Sequence, residues 1–447
     1  MAHRRFVRSR RGCARHDRSH RRHARDRAVA RHPSRRGFVD LCFVARGASA
    51  RPDPGRTRGG RDRSAVTMVR RLTLLLLLPA LAGAQWLASP EFEERSQRGI
   101  QAVYNLEFER AESEFRALAV KFPSHPAGRF FLGMIEWWRI LIDMEDESRD
   151  DLFIERMDDV IDLCDSLLEA NEHDVTALFF KGGALGFRGR LRANRSNWIT
   201  AANDGRRALP IVQRAYAIAP ENADILLGIG IYNYYAATIP ERYPIVKPVM
   251  VFFPEGDKRK GVAQLETASR EARYAAIEAT YFLLQLNYNY EREFSVALAL
   301  AESLFRRFPD NVLFQRYIGR CEYVLSRNDR AAATFEEIVK RCGAGGRGYG
   351  PSALRESQYY LGLLRMQQKR YDDALRHFYE CDRLSRTLDR KEQSGFMISA
   401  NLRVGMIYDL QKRRALALRQ YEKVEVMRDY EGSRDMARRY RKEPFSL

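Results

Sequence analysis

The chain has 447 residues, enough for two or three ordinary domains or for one long array of repeats. Its hydrophobic fraction of 45% is sufficient for a folded core and excludes a fully disordered protein. The formal net charge is +19, but residues 1–67 hold twenty Arg and five Asp, and Arg70 and Arg71 add two more charges. Residues 85–447 therefore carry only +2, which argues against nucleic acid as a partner of that part.

Residues 1–67 have an unusual composition, with no Lys, Glu, Ile, Asn, Gln, Tyr or Trp and an excess of Arg, Ala and Gly. They contain too little apolar surface to offset chain entropy, so we expect a disordered segment. Two interpretations stay open. We favour translated upstream sequence from a misassigned start codon in a G/C-rich genome. The alternative is a basic tail that binds nucleic acid or anionic lipid.

A secretory signal peptide is predicted over residues 68–84. Met68 begins "MVRRLTLLLLLPALAGAQW", in which Arg70 and Arg71 precede a short apolar run that ends in Ala82-Gly83-Ala84. A basic start, an apolar core and small residues before the cleavage site are typical of such a signal. We expect export to the periplasm or cell envelope of a bacterium. The alternative is that the signal is retained as an anchor.

Repeats at fixed spacing predict the architecture of residues 85–447. Gly99 is followed by Ala111 after twelve residues, by Phe115 after four more, and then by Pro123. The spacing recurs at Gly319, Ala331 and Phe335, at Gly362, Ala374 and Phe378, and at Gly405, Ala417 and Tyr421. In such a pattern a small residue lets two helices pack closely, and an apolar stripe faces inward. From about Glu91 onward the chain resembles the tetratricopeptide repeat family.

The resemblance implies an all-α fold, a right-handed solenoid of about seven or eight helical hairpins over residues 85–447. We expect irregular insertions near residues 138–152, 186–200 and 235–258, and a polar capping helix over residues 432–442. The acidic "DMEDESRDD" and the basic "GFRGRLRANR" are interpreted as solvated segments. Cys164, Cys321, Cys342 and Cys381 are interpreted as small packing residues, with a Cys342–Cys381 or Cys321–Cys342 disulfide as the alternative.

The third insertion, "IYNYYAATIPERYPIVKPVMVFFPEGDKRKG", has a resemblance of its own. It is similar to a segment of the eukaryotic inclusion-body-clearance and tetratricopeptide-domain family, through Gly230, Tyr232, Asn233, Pro240, Phe253, Gly256, Asp257, Gly261 and Leu265. That similarity implies a shared structural unit. The prolines prevent one continuous helix, so we expect a buried plug. A membrane-dipping loop is the alternative.

No catalytic or metal-binding pattern is found, and we expect neither catalytic residues, nor a metal, nor a cofactor. Residues 85–447 contain only His125, His173 and His377, which fall in separate repeats. There is no phosphate-binding glycine loop and no serine nucleophile motif. The chain is therefore expected not to be an enzyme.

Binding is the remaining function. In repeats of this family the first helix of each hairpin lines the concave groove, at positions three before the small residue and one, four and five after it. Applied to the later repeats, this selects Tyr234, Tyr235, Phe282, Asn289, Tyr290, Arg316, Arg320, Tyr323 and Tyr359. Such a groove suits an extended peptide. We expect a scaffold or assembly factor with a protein or peptide partner; the alternative is a peripheral factor at a membrane surface.

Overall fold

The computed structural model of the protein describes residues 89–242 and 254–447. The predicted basic segment (1–67), the signal peptide (68–84) and the apolar part of the third insertion (243–253) lie outside the described residues. Within these, the structure consists of seventeen α-helices and a short π-helical segment, and it contains no strand. The predicted all-α class is confirmed.

The first nine helices are α1 (Pro90–Tyr104), α2 (Phe108–Lys121), α3 (Ala127–Ile142), α4 (Asp150–Ala170), α5 (Val175–Asn194), α6 (Trp198–Ile218), α7 (Ile225–Arg242), α8 (Lys258–Glu271) and α9 (Ala276–Leu286). The π-helical segment Asn287–Glu291 follows α9. The remaining helices are α10 (Phe294–Arg307), α11 (Val312–Val324), α12 (Asn328–Gly343), α13 (Pro351–Gln367), α14 (Tyr371–Leu388), α15 (Gly395–Leu410), α16 (Arg414–Glu425) and α17 (Ser433–Lys442).

Each odd-numbered helix from α1 to α15 packs against the even-numbered helix that follows it. The described residues thus form eight hairpins, and α17 packs on the last of them. Each hairpin also packs on the next, so that apolar faces that one hairpin cannot bury are buried between neighbours. This is the helical-hairpin solenoid that the repeat spacing predicts.

Close contact at a small residue explains the regular spacing. A Cβ atom added to Gly99 would lie 2.3 Å from the Phe115 ring, closer than real Cβ contacts allow. Any larger residue in the first helix would therefore push the aromatic ring and the second helix away. The same contact recurs between Gly319 and Phe335, between Gly362 and Phe378, and between Gly405 and Tyr421.

The first two irregular units differ from the regular ones mainly in helix length. Helices α4, α5 and α6 have 21, 20 and 21 residues, whereas α2 has 14. Gly133 packs on Met157, and Gly182 packs on Val212. The extra residues of these units therefore largely extend the helices and their buried faces, and connecting loops stay short.

The basic stretch "GFRGRLRANR" is not a solvated turn, and that expectation was wrong. It lies in and just after α5, where Arg188 and Arg190 are each only 6% exposed. Arg188 pairs with Asp204 and Asp158, and Arg192 pairs with Asp204 at 2.6 Å. Arg195 bonds Asp150 in the acidic stretch. Carboxylates distant in sequence compensate these cations, which allows their burial.

The solenoid winds far enough for its first hairpin to contact later ones. The Tyr104 hydroxyl donates a hydrogen bond to Glu278 on α9 at 3.0 Å. The amide of Asn311 donates to the backbone carbonyl of Tyr104 at 2.8 Å. Further along, Lys391 pairs with Glu147 at 2.5 Å. Successive turns of the superhelix are therefore in direct contact, and the first turn closes around its own axis.

The four cysteines in the described residues have free thiols, and neither alternative disulfide is formed. Cys164, Cys321 and Cys381 are buried in helix packing. Burial raises the pKa of these three thiols to about 12 and that of Cys342 to about 11. Thiols with such a raised pKa are poor nucleophiles, so the structure gives them a packing role.

The glycine–aromatic contact provides a test of what stabilises the solenoid. Phe335 is fully buried, packs on Gly319, and stacks on Tyr360 with ring centroids 4.7 Å apart. We expect Phe335→Ala to lower the free energy of unfolding by about 3–5 kcal/mol, because it leaves a cavity between two hairpins. Urea unfolding followed by circular dichroism measures the change. The control is Val120→Ala, at a side chain that is 81% exposed, for which we expect a change within about 0.5 kcal/mol. Equal effects of the two substitutions would contradict this account.

Candidate functional site

An apolar cavity of about 160 Å³ lies on the inner side of the first superhelical turn. Its walls come mainly from the first helices of successive hairpins, α1, α3, α5, α7 and α9, with a further contribution from α6. These are the helices that line the concave groove in an open solenoid. Because the first turn closes around its axis, the groove has here become an internal cavity.

Glycines on α5 leave room for this cavity. Gly182, Gly183 and Gly186 all line it. A Cβ atom at Gly186 would meet nothing within 4 Å, so this position faces open space. Glycine costs about 1 kcal/mol relative to alanine inside a helix. Its presence at Gly186 therefore leaves space that a side chain would fill.

Aromatic rings form much of the remaining wall. Tyr104 and Trp138 meet edge to face with centroids 4.9 Å apart, and Phe130 and Phe131 do so at 5.7 Å. Phe131 also contacts Tyr274, which brings α3 against the start of α9. Rigid rings packed in this way hold the cavity open, because they cannot fold into it without leaving their own contacts.

Arg190 and Glu278 are the charged residues of the cavity wall. Glu278 is 3% exposed, and its Oε2 accepts the hydrogen bond from Tyr104. Its Oε1 has no partner within hydrogen-bond distance and lies 4.0 Å from Nη1 of Arg190, and the Trp138 indole N–H is a further donor close to this carboxylate. The Arg190 guanidinium lies 4.6 Å from the centroid of Phe282 and donates to Gln285 at 2.8 Å. One carboxyl oxygen is thus available at a largely apolar surface.

Burial raises the pKa of Glu278 above its ordinary value. The charge of Arg190 and the hydrogen bonds from Tyr104 and Trp138 oppose only part of this rise. The same burial, together with Glu278, raises the pKa of Tyr104 well above its ordinary value. The carboxyl group therefore holds its proton more strongly than an exposed glutamate does, and when protonated it can donate a hydrogen bond.

The predicted groove residues fall into two clusters. The first contains Tyr234, Tyr235, Phe282, Asn289 and Tyr290. The rings of Tyr234 and Tyr235 are 5.3 Å apart, and Tyr235 contacts Tyr290 at 5.5 Å. Tyr234 is fully buried and bonds Glu291, whereas Asn289 and Tyr290 are half-buried. Of the five, Phe282 lines the cavity. Direct contact of this cluster with a peptide stays a prediction.

The second cluster contains Arg316, Arg320, Tyr323 and Tyr359. Arg316 donates to Glu356 on α13 at 3.0 Å, and Arg320 bonds the same carboxylate. Burial alone would raise the pKa of Glu356, but the two arginines outweigh it and hold the pKa far below its usual range. Two cations share one anion, so this part of the inner face has a net positive charge.

The repeat rule itself would have found the cavity wall if it had been applied to the first repeats. Around Gly99 it selects Ser96, Ile100, Val103 and Tyr104, and around Gly133 it selects Phe130, Met134, Trp137 and Trp138. Six of these eight residues line the cavity, and Ser96 and Trp137 do not. Glu278 falls outside the rule, although one carboxylate within the apolar "AIEATYFLLQL" of α9 is itself a signal. For Arg190, the one signal in the sequence is that it stands in a row of alternating arginines, Arg188, Arg190 and Arg192.

Within the described ranges, no group of three or more His, Cys, Asp or Glu is arranged to hold a metal ion. None of the helices described is both long enough and apolar enough to cross a membrane.

One comparison with known protein families finds the repeat. A tetratricopeptide repeat family model matches residues 288–346, which run from the π-helical segment after α9 to just past α12. No curated protein sequence matches the chain. Similar solved structures are the human IFIT1 dimer with PPP-AAAA, yeast Tom70 and the P58(IPK) TPR domain. Their sequence identities are 12%, 11% and 13%, and their TM-scores are 0.38, 0.33 and 0.24. The aligned regions cover 72%, 78% and 79% of this chain and 68%, 87% and 98% of those chains.

The buried carboxylates Glu278 and Glu356 provide a test of the site's electrostatics, because their pKa values are shifted in opposite directions. The folded-state pKa of Glu278 is raised. Its contribution to the free energy of unfolding is therefore most favourable at low pH and is lost as pH rises above the ordinary glutamate pKa of about 4.3. We expect the stability of the Glu278→Gln variant to depend less on pH than that of the unaltered protein between pH 4 and pH 8. Thermal unfolding between pH 4 and pH 8 measures the effect.

Glu356 is the matched control. Its folded-state pKa is lowered, so its stabilising contribution is present above the ordinary glutamate value and is lost as pH falls below it. Glu356→Gln should therefore destabilise the protein most at pH 8. A larger loss at pH 4 than at pH 8 for this variant, or an unchanged pH profile for Glu278→Gln, would contradict these assignments.

Proposed function

We propose that the protein is a non-enzymatic interaction scaffold or assembly factor of the bacterial cell envelope that binds an extended acidic segment of a partner protein. The fold supports a binding role, since tetratricopeptide-type solenoids generally mediate protein–protein interaction. The proposed binding face lies on α11, α13 and α15, the first helices of the second superhelical turn. Export rests on the signal predicted over residues 68–84.

The sharing of Glu356 by two arginines is the observation that carries this proposal. It leaves one excess positive charge on α11 and α13, the helices that also carry Tyr323 and Tyr359, which are 8% and 4% exposed. Burial raises the pKa of Tyr359 to about 12, and Arg403 is close enough to oppose that rise. Arg403 is half-buried on α15 and adds a further cation. Arginine and tyrosine together suit a carboxylate-bearing peptide, through paired hydrogen bonds and apolar contact.

The third insertion supports the proposed kinship with the inclusion-body-clearance and tetratricopeptide-domain family as a shared structural unit. A Cβ atom at Gly256 would lie 2.4 Å from the Asn233 carbonyl oxygen, so the chain passes directly against α7. Asp257 caps α8 by accepting a hydrogen bond from the Lys260 amide at 3.0 Å. Tyr232 donates to the Pro254 carbonyl. Tyr232, Gly256 and Asp257, which carry part of the resemblance, thus have packing and capping roles.

Site-specific photo-crosslinking tests the peptide site. A benzophenone amino acid in place of Arg403 should give a discrete partner adduct in envelope fractions, because the probe lies on the proposed binding face. The matched control replaces Arg376, whose side chain is 78% exposed on the second helix α14. Adducts at both positions, or at neither, would contradict binding at this face. An Arg403→Glu variant should at least halve capture of the same partner, since it reverses the charge.

A second candidate function is a peripheral lipid-associated factor. The apolar cavity favours it, together with the position of Tyr232, which lines the cavity and bonds the residue that follows the apolar insertion. Co-sedimentation with liposomes containing phosphatidylglycerol tests it. We expect Val249→Asp combined with Phe252→Asp to lower binding at least tenfold, because charged side chains resist burial in lipid. No binding by the unaltered protein would remove this candidate.

A further inference from the structure

The cavity in the first superhelical turn has the composition of a ligand site. Its wall is apolar apart from Arg190, Glu278, the indole N–H of Trp138 and a few hydroxyl groups. Both charged residues are more than nine-tenths buried. A carboxylate buried against an apolar space is costly unless it is paired, and Oε1 of Glu278 has no hydrogen-bond partner. Such a wall suits a ligand that is mostly hydrocarbon and has one polar end.

We propose that this cavity binds a free monocarboxylic acid of medium chain length, with its hydrocarbon tail along the aromatic wall and its carboxylate at Arg190 and Glu278. This inference does not rest on the peptide site proposed above, which lies on later helices. The two can succeed or fail separately.

The size of the cavity limits the tail. An engineered apolar cavity of about 150 Å³ in another protein stays dry and binds benzene, and the volume here is about 160 Å³. A chain of roughly six to eight carbons is of that order. Each methylene group buried contributes about 0.8 kcal/mol, which corresponds to about fourfold in affinity. Affinity should therefore rise about fourfold per carbon and then stop rising when the cavity is full.

The polar end of the cavity favours an acid over an alcohol. The Arg190 guanidinium is a donor of charge-assisted hydrogen bonds, which are about twice as strong as neutral ones. When protonated, Glu278 can donate a second hydrogen bond to a ligand carboxylate, because its Oε1 faces Arg190 and has no partner within hydrogen-bond distance. An alkanol of the same length would fill the same apolar space but would not gain the charge interaction.

The test is isothermal titration of the full chain with butanoate, hexanoate, octanoate and decanoate, and with octan-1-ol. We expect stepwise tightening up to a limiting chain length, and octanoate bound at least tenfold more tightly than octan-1-ol. Octanoyl lysophosphatidylglycerol distinguishes a free acid from the acyl chain of a lipid. Tighter binding of the lysolipid or the alcohol than of octanoate would overturn the assignment, as would no binding of any acid at millimolar concentration.

Two glycine substitutions distinguish an effect on the cavity from a general effect on the fold. Gly186→Leu should lower octanoate affinity at least tenfold, since its side chain would enter the open space. Gly343→Leu is the matched control. A Cβ atom at Gly343 would also meet nothing within 4 Å, but this residue lies at the exposed end of α12, away from the cavity. Both substitutions favour helix, so folding should be retained. Unchanged affinity in Gly186→Leu would overturn the site.

Arg190→Gln tests the head group. We expect it to reduce the preference for octanoate over octan-1-ol to less than twofold while octan-1-ol binding changes little. A variant that keeps the full preference would overturn the role of Arg190. If this variant fails to fold, the chain-length series and the Gly186→Leu comparison still decide the proposal.

Discussion

The structure depends on one contact repeated along the chain, a glycine of the first helix of a hairpin against a large side chain of the second. At Gly99 and Phe115 the two helices approach so closely that no Cβ atom fits. This distance sets how closely the two helices of each hairpin pack. Each hairpin then packs on the next, and the small rotations between hairpins add up along the solenoid and wind it into a superhelix.

Tight winding has a direct consequence for the inner surface. The first hairpin meets α9 and the start of α11 through Tyr104, Glu278 and Asn311. The concave face of the first turn is thereby closed into a cavity, whereas the inner face of the second turn carries the charged cluster at Glu356. One fold thus offers two chemically different inner surfaces, one an apolar cavity and the other cationic and aromatic.

The repeat architecture could be predicted from sequence because its contacts are local. Gly319 and Phe335 are sixteen residues apart and contact within one hairpin, so their spacing is visible in one dimension. The cavity could not be predicted in the same way. It depends on closure between residues such as Tyr104 and Glu278, which are 174 positions apart and whose meeting is the sum of many inter-hairpin rotations. The pairing of Arg188 with Asp204 was also missed, although the two are sixteen residues apart within one hairpin, because it is not part of the repeating pattern.

The two carboxylates show how the number of neighbouring cations decides the chemistry of a buried site. Glu356 has two arginines within hydrogen-bond distance, and its pKa is far below the usual range. Glu278 has one arginine, with the guanidinium nitrogen 4.0 Å from its Oε1, and its pKa is raised. A second cation close to Glu278 would satisfy Oε1 and leave no polar partner for a ligand. The single, distant cation is therefore what makes the cavity of the first turn a candidate binding site.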